Sequence, residues 1–176
     1  MVRSALDRAV EPLRAAEPEL AWVGPAKLHL TMKFLGDVDA AGAARLAVAA
    51  DVVAARHRPF AMTLGGVGAF PNFRRVRVVW MGVESEPRLE LLHHDLELAC
   101  GEAGFEVEGR LFRPHITLAR ARTPLALDRA RPLARVARRV AYAASDEVQA
   151  LGLLESTHAS FGARYRRIHA ATLGGC

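Results

Sequence analysis

Two short stretches of this sequence repeat one another in a way that restricts the fold. His29-Leu30-Thr31-Met32 and His115-Ile116-Thr117-Leu118 share the pattern His-x-Thr-x and lie 86 residues apart in a chain of 176. Seven His and six Thr placed at random would give roughly 0.24 His-x-Thr triplets, so a pair is not expected by chance. Both copies lie in alternating apolar and polar surroundings, Lys27-Leu28-His29-Leu30-Thr31-Met32-Lys33-Phe34 and residues 112–119, and read as half-buried strands. Residues i and i+2 of a strand point to one face. Each His therefore projects beside its own Thr, while Leu28, Leu30 and Met32, and in the second copy Ile116 and Leu118, turn into a core. Such a chain is expected to form two similar halves whose imidazoles and hydroxyls converge across a cleft.

The remaining pattern predicts strand pairs interleaved with helices. Leu6, Ala9, Val10 and Leu13 give an amphipathic helix over 4–16, Gly24-Pro25 gives a turn, and residues 40–56 give an Ala-rich helix. Strands over 60–68 and 76–84 are joined by Gly68-Ala69-Phe70-Pro71-Asn72. Ser85 and Pro87 open a helix over 87–102 that ends near Gly101 or Gly104. A short strand at 105–108, the strand at 112–119, a helix over about 125–139 and strands at 140–154 and 164–173 complete the chain. Strands and helices do not alternate regularly, so the fold class is α+β with antiparallel sheets. Gly65-Gly66-Val67-Gly68 leads into Phe-Pro rather than a helix, which removes the dinucleotide and P-loop readings.

Composition narrows the setting. The chain is 51% hydrophobic, too apolar for disorder, yet no run approaches the roughly 18 apolar residues of a membrane span. Met1-Val2-Arg3-Ser4-Ala5-Leu6-Asp7-Arg8 has no apolar signal region, so a cytoplasmic protein with no membrane partner is expected. Only Cys100 and Cys176 occur, neither in a C-x-x-C pair, which argues against a disulfide framework or thiolate chemistry. The net charge is +5, with Arg far outnumbering Lys27 and Lys33. Codon bias and attraction to polyanions explain this equally; the runs Phe73-Arg74-Arg75-Val76-Arg77 and Arg164-Tyr165-Arg166-Arg167 lean toward a phosphate-bearing partner.

A pair of imidazoles suits one class of chemistry. With an ordinary pKa of about 6.5, one ring can be neutral and the other protonated near neutrality. The first serves as general base to an incoming water and the second as general acid to a leaving alkoxide. Thr hydroxyls donate to phosphoryl oxygens and an Arg stabilises their charge. No carboxylate accompanies either tetrad and no third His stands at ligand spacing, so phosphoryl chemistry without metal is expected rather than a zinc site.

The tetrads, with Leu28-His29-Leu30-Thr31-Met32-Lys33-Phe34-Leu35-Gly36 and Arg113-Pro114-His115-Ile116-Thr117-Leu118-Ala119-Arg120, resemble the 2H phosphoesterases. Within them the chain is similar to the RNA 2′,3′-cyclic phosphodiesterases, long called 2′-5′ RNA ligases. Gly68-Ala69-Phe70-Pro71-Asn72 with Arg77-Val78-Val79-Trp80, and Leu154-Glu155-Ser156 with Gly162-Ala163-Arg164-Tyr165, resemble further family segments. The resemblance implies one bilobal, pseudo-twofold α+β domain over 1–176, antiparallel sheets with helices on the outer faces, and the tetrads facing each other. It implies hydrolysis of a ribose 2′,3′-cyclic phosphate to a 2′-phosphomonoester without cofactor or metal. His29 matches the proton donor, His115 the proton acceptor, and Thr31 and Thr117 the phosphate holders. Arg120 matches a basic phosphate-binding position, although strand parity sets it opposite His115 unless the strand ends or bulges there. Run in reverse the same site would be a 2′-5′ RNA ligase, and a non-catalytic RNA-end binding module is a third reading. The expected partners are RNA ends or small cyclic nucleotides, met by a monomer. Family members usually begin with an apolar strand ahead of the first helix. Here the first lobe is expected either to lack that strand or to follow from a start codon placed too late.

Other residues carry less. His93 reads as a partly buried structural residue and His94 as solvated. His57, between Arg56 and Arg58, reads as a helix-end cation or a phosphate contact. His158 and His169 lack a paired Thr. Phe70 and Phe73 either stack on a base or pack their loop. Trp22 and Trp80 are expected in the core.

Overall fold

The computed structural model describes residues 2–159 and 162–174, so Cys176 lies outside it, as do the side chains of His158 and its neighbours. In chain order the elements are α1 (Val2–Ala9), α2 (Glu11–Ala16), β1 (Ala21–Trp22), α3 (Ala40–Ala54), β2 (Phe60–Phe70) and β3 (Val78–Val83). There follow α4 (Pro87–Glu102), β4 (His115–Arg120), α5 (Leu127–Ala137), β5 (Ala143–Val148), β6 (Ala150–Ala159) and β7 (Gly162–Thr172), and a 3-10 turn occupies Pro25–Lys27. Antiparallel pairing dominates and the helices lie between the strands in sequence, which is the expected α+β class.

The chain divides into two compact units. The first comprises Met1–Thr31, Met62–Glu84 and Arg113–Asp146. It contains most of a five-stranded sheet in the order β1-β4-β3-β2-β5. Its core gathers Leu6 of α1, Val10 between the two helices and Leu13 of α2, Ala130 and Leu133 from α5, and Val79, Met81, Ile116 and Leu118 from the sheet. Burying each of the larger side chains contributes about 1.5–3 kcal/mol, the main force closing the unit. The buried carboxylate of Glu17, just after α2, accepts hydrogen bonds from Arg129 of α5, so α2 and α5 are joined by an ion pair as well as by packing.

The second unit comprises Met32–Ala61, Ser85–Phe112 and Glu147–Cys176. Here α3 packs on α4 and on the β6–β7 hairpin. Asp39 caps α3 by accepting from the Gly42 amide at 2.7 Å. Gly42 is required there, since a Cβ would lie 2.8 Å from Val38. Helix α4 spans the predicted 87–102; its cap is Glu86, whose carboxylate accepts from the Arg88 amide, and not Ser85. It stops where Gly104 takes φ +92°, a conformation that favours glycine.

Several expected boundaries are corrected. The helix over 4–16 is two helices broken at Val10, because Pro12 sits in the first turn of α2 and has no amide to continue the α1 ladder. The strand over 27–34 is not a ladder: it opens with the 3-10 turn and makes one isolated bridge, Leu30 to Ile116. Its alternation also fails at the end, with Phe34 75% exposed. No strand forms at 105–108, where the Phe105 amide donates to the Cys100 carbonyl and the Glu108 amide to the Glu97 carboxylate. The donors a ladder needs are already used. Residues 140–154 form two strands in different sheets, separated at Gln149. Leu20–Val23, read as the lead-in to a turn, carries the short strand β1.

Candidate active site

The second tetrad lies on β4, and its register decides which side chains share a face. Across β3 the pairs are Gly82 with His115, Met81 with Ile116, Trp80 with Thr117, Val79 with Ala119 and Val78 with Arg120. Leu118 has no partner of its own, so β4 bulges between Thr117 and Ala119. Burial confirms the slip of parity, since Ile116, Leu118 and Ala119 are all buried whereas Arg120 is exposed. On unbroken β3, Val79 and Met81 are both fully buried, so Val78, Trp80 and Gly82 occupy the opposite face. Paired residues share a face. His115, Thr117 and Arg120 therefore stand together on the outer side, and the bulge removes the parity conflict at Arg120.

Aromatic rings fix the position of His115. The Phe70 ring meets the imidazole edge-on at 4.9 Å, and the Trp80 ring lies 6.2 Å from it and 5.2 Å from Phe70. Trp80 is thus half-buried in the wall of the site rather than in the core, a correction to its expected place. Gly68 pairs with Trp80 and makes room for it: a Cβ there would come within 2.1 Å of the indole. Sequence reasoning offered Phe70 as a possible base platform and missed its contact with the imidazole. The signal was glycine inside two strands, at Gly68 and Gly82, which marks close approach of another group.

The first tetrad reaches the same face by a different route. The 3-10 turn at Pro25–Lys27 releases the chain into extended backbone at Leu28, which is buried. The antiparallel bridge between Leu30 and Ile116 sets the two tetrads side by side. Extending that register by one residue each way places His29 opposite Thr117 and Thr31 opposite His115. The histidines are then diagonal neighbours, with Cβ atoms roughly 7 Å apart by strand geometry. His29 also lines a small cavity of about 90 Å³ with Arg3, Leu6, Leu64 and Asp146.

Both imidazoles are held by the same device. His29 Nδ1 lies 2.7 Å from the Lys27 carbonyl oxygen, and His115 Nδ1 lies 2.7 Å from the Arg113 carbonyl oxygen. A carbonyl only accepts, so Nδ1 carries the hydrogen and donates it in each ring. In the neutral ring the lone pair then resides on Nε2; in the cation Nε2 carries a proton. Each histidine thus presents one nitrogen able to take or give a proton.

The other histidines are occupied elsewhere. His57 is buried, with Nε2 2.9 Å from Asp95 of α4, which corrects its reading as a phosphate contact. His93 stacks on Phe112 at 3.8 Å, and burial lowers its pKa below the usual value, opposed by the charge of Glu97. His94 is exposed, and His169 Nε2 lies 2.8 Å from Asp51. Burial raises the Cys100 thiol pKa, which keeps it from forming a reactive thiolate. Among the described residues no three His, Cys, Asp or Glu side chains gather into a group that could hold a metal ion, and no helix is long and apolar enough to cross a membrane.

Solved structures of the 2H phosphoesterase fold match this one. A crystal structure of a Thermus thermophilus protein superposes with a TM-score of 0.76 at 26% identity, covering 99% of this chain and 92% of that one. E. coli LigT complexed with 3′-AMP gives 0.68 at 28% identity, covering 94% and 91%. The family model for the 2′-5′ RNA ligase superfamily matches residues 2–159, and the chain belongs to that superfamily. Curated relatives carry the name RNA 2′,3′-cyclic phosphodiesterase. The Geobacillus stearothermophilus protein is 37% identical over 67% of this chain, the match spanning 38% of that protein's length. The Methanothermobacter thermautotrophicus protein is 33% identical over 70% of this chain and 66% of its own length. The Aquifex aeolicus protein is 32% identical over 88% of this chain and 82% of its own.

Proposed function

We propose that this protein hydrolyses RNA 2′,3′-cyclic phosphate ends to 2′-phosphomonoesters with two histidines and no metal. The observation that carries the reading is the matched pair of Nδ1–carbonyl hydrogen bonds on tetrads joined through Leu30 and Ile116. With Nδ1 committed to a carbonyl in each ring, Nε2 is the atom through which the two proton transfers of opening a cyclic phosphodiester would run.

Water loses a proton to Nε2 of neutral His115 as its oxygen bonds to phosphorus. The bond from phosphorus to the 3′-oxygen breaks, and Nε2–H of protonated His29 gives its proton to that oxygen. The product carries a 2′-phosphate and a free 3′-hydroxyl, and one turnover leaves the proton on His115 instead of His29. The two rings are equivalent in local geometry, so the division of acid and base between them follows the family resemblance. Thr31 and Thr117 donate to the non-bridging oxygens, and Arg120, on the same face, balances their charge as it develops. The names of the curated relatives support the same reaction.

The test is incubation, with chelator present, on an oligonucleotide ending in a 2′,3′-cyclic phosphate. The expected product is the 2′-monoester, with a bell-shaped dependence of rate on pH because one ring must be neutral and the other charged. A 3′-monoester, or turnover only with added divalent metal, would overturn the proposal. The superfamily's description favours a second reading at the same site, in which an RNA hydroxyl replaces water and a 2′-5′ linkage forms. Comparing hydrolysed with joined product on one substrate separates the two.

A further inference from the structure

Away from the tetrads, the first unit carries a groove of about 640 Å³ lined by Phe73, Arg74, Leu127, Arg131, Ala134, Arg135 and Arg138. Four of these seven are arginines and none is acidic. Arg131 and Arg135 on α5 and Arg138 at its C-cap stand at i, i+4 and i+7, one face spanning roughly 10 Å along the axis. Arg74 comes from the chain between β2 and β3. No carboxylate among the described residues pairs with any of the four guanidiniums. This contrasts with Arg129 on the same helix, which pairs with Glu17 and Glu19.

A dipole explanation covers the arginines of the last turns of α5, since cations favour a helix C-terminus. It does not cover Arg74, nor the aromatic ring beside it. Four like charges around one hollow repel each other, and an anion with several charges in a row relieves that repulsion. The groove also has an apolar side, Phe73, Leu127 and Ala134. Basic walls with an aromatic platform suit single-stranded nucleic acid: guanidiniums follow the phosphates and a base stacks on the ring.

We infer that the Arg74–Arg131–Arg135–Arg138 groove binds single-stranded RNA through its backbone phosphates, with Phe73 under a base. The inference rests on the phosphodiesterase reading only in assigning that RNA to the substrate's upstream strand, which makes the preferred substrate a polynucleotide rather than a cyclic mononucleotide.

The experiment is equilibrium binding of a labelled twelve-nucleotide RNA ending in a 3′-hydroxyl, by anisotropy between 50 and 200 mM salt. Because this probe has no cyclic phosphate, its result stands whether or not the chain turns over. Arg131→Gln with Arg135→Gln is expected to weaken binding by about fivefold or more and to reduce the log–log salt slope by about 1.4, the share of two single-strand phosphate contacts. Phe73→Leu is expected to weaken RNA binding while leaving binding of inorganic polyphosphate unchanged. On the catalytic side, the double variant is expected to lower kcat/KM for a cyclic-ended twelve-mer and not for a cyclic mononucleotide. Unchanged RNA affinity and salt slope would overturn the site. Equal loss on long and mononucleotide substrates would overturn its role in substrate choice, and insensitivity to Phe73→Leu would reduce it to a general polyanion patch.

Discussion

The two tetrads carry the same His and Thr on different supports. The second lies on β4 and is laddered to β3, with the buried side chains Ile116 and Leu118 beneath it. The first hangs on a 3-10 turn, one bridge and buried Leu28, with Leu30 only half-buried. Yet the imidazole of each is fixed by the same bond, from Nδ1 to the carbonyl two residues upstream. Holding the imidazole in this way therefore needs locally extended backbone at the tetrad and not membership of a sheet. One well-supported strand suffices to align a partner that touches it at a single point.

Removing either imidazole is the strongest way to test that equivalence. His29→Ala and His115→Ala are each expected to lower the rate on a cyclic-ended oligonucleotide by about 10²–10⁴-fold. The double variant should be little worse than either single one, because residues acting as a unit are not additive. A first tetrad that tolerates substitution while the second does not would break the comparison.

Stability should separate what catalysis equates. Ile116→Ala removes a buried side chain and is expected to cost about 2–5 kcal/mol in urea unfolding. Leu30→Ala, the equivalent position of the first tetrad, is half-exposed and should cost less. Equal losses would show that the bridge supports both tetrads alike. A smaller effect is expected from Gly68→Ala, which drives a methyl group into Trp80 and disturbs the ring beside His115. Overpacking of this kind costs about 1–3 kcal/mol, and the accompanying fall in rate should exceed that of a comparably destabilising change at Leu30.

The least effect concerns the residue that follows the first tetrad. Lys33 is buried and donates to the Glu97 carboxylate at 2.6 Å and to the Glu106 carbonyl at 2.7 Å. Burial alone would raise the Glu97 pKa, but the Lys33 hydrogen bond, the Glu108 amide and the charge of Lys33 together hold it below its usual value. His93 is also held low, chiefly by burial. Both groups bind protons more readily in the unfolded chain, so folding stability rises with pH across their range. The His93 share should be complete above about pH 6.5 and fall away below it, and the Glu97 share should follow below about pH 4.5. Urea midpoints measured from pH 7 to 4 should decline in the unsubstituted protein and decline less in His93→Phe. An identical slope in that variant would remove His93 from the account.

Legibility in the sequence followed the kind of signal available. Helix α4 was readable to the residue because Pro87 opens it and Gly104 closes it. The His-x-Thr spacing was readable because a strand's period is fixed. What escaped depended on distant partners. The Phe105 bond to Cys100 belongs to the closure of α4 at Gly104, but nothing local reveals that the Glu97 carboxylate takes the Glu108 amide, so the sequence alone predicts a strand at 105–108. The seat of Trp80 depended on a register that pairs it with Gly68. Leu118-Ala119 was a readable hint, since two consecutive apolar residues interrupt alternation where β4 bulges.

That extra residue in β4 has a consequence for comparing chains of this kind. Were the same residues laddered without the bulge, each would keep its place in the sequence, while the guanidinium at the strand's end would turn to the far side of the sheet. Strand pairing thus decides which face a matched residue serves, and a tally of matched letters would not register the difference.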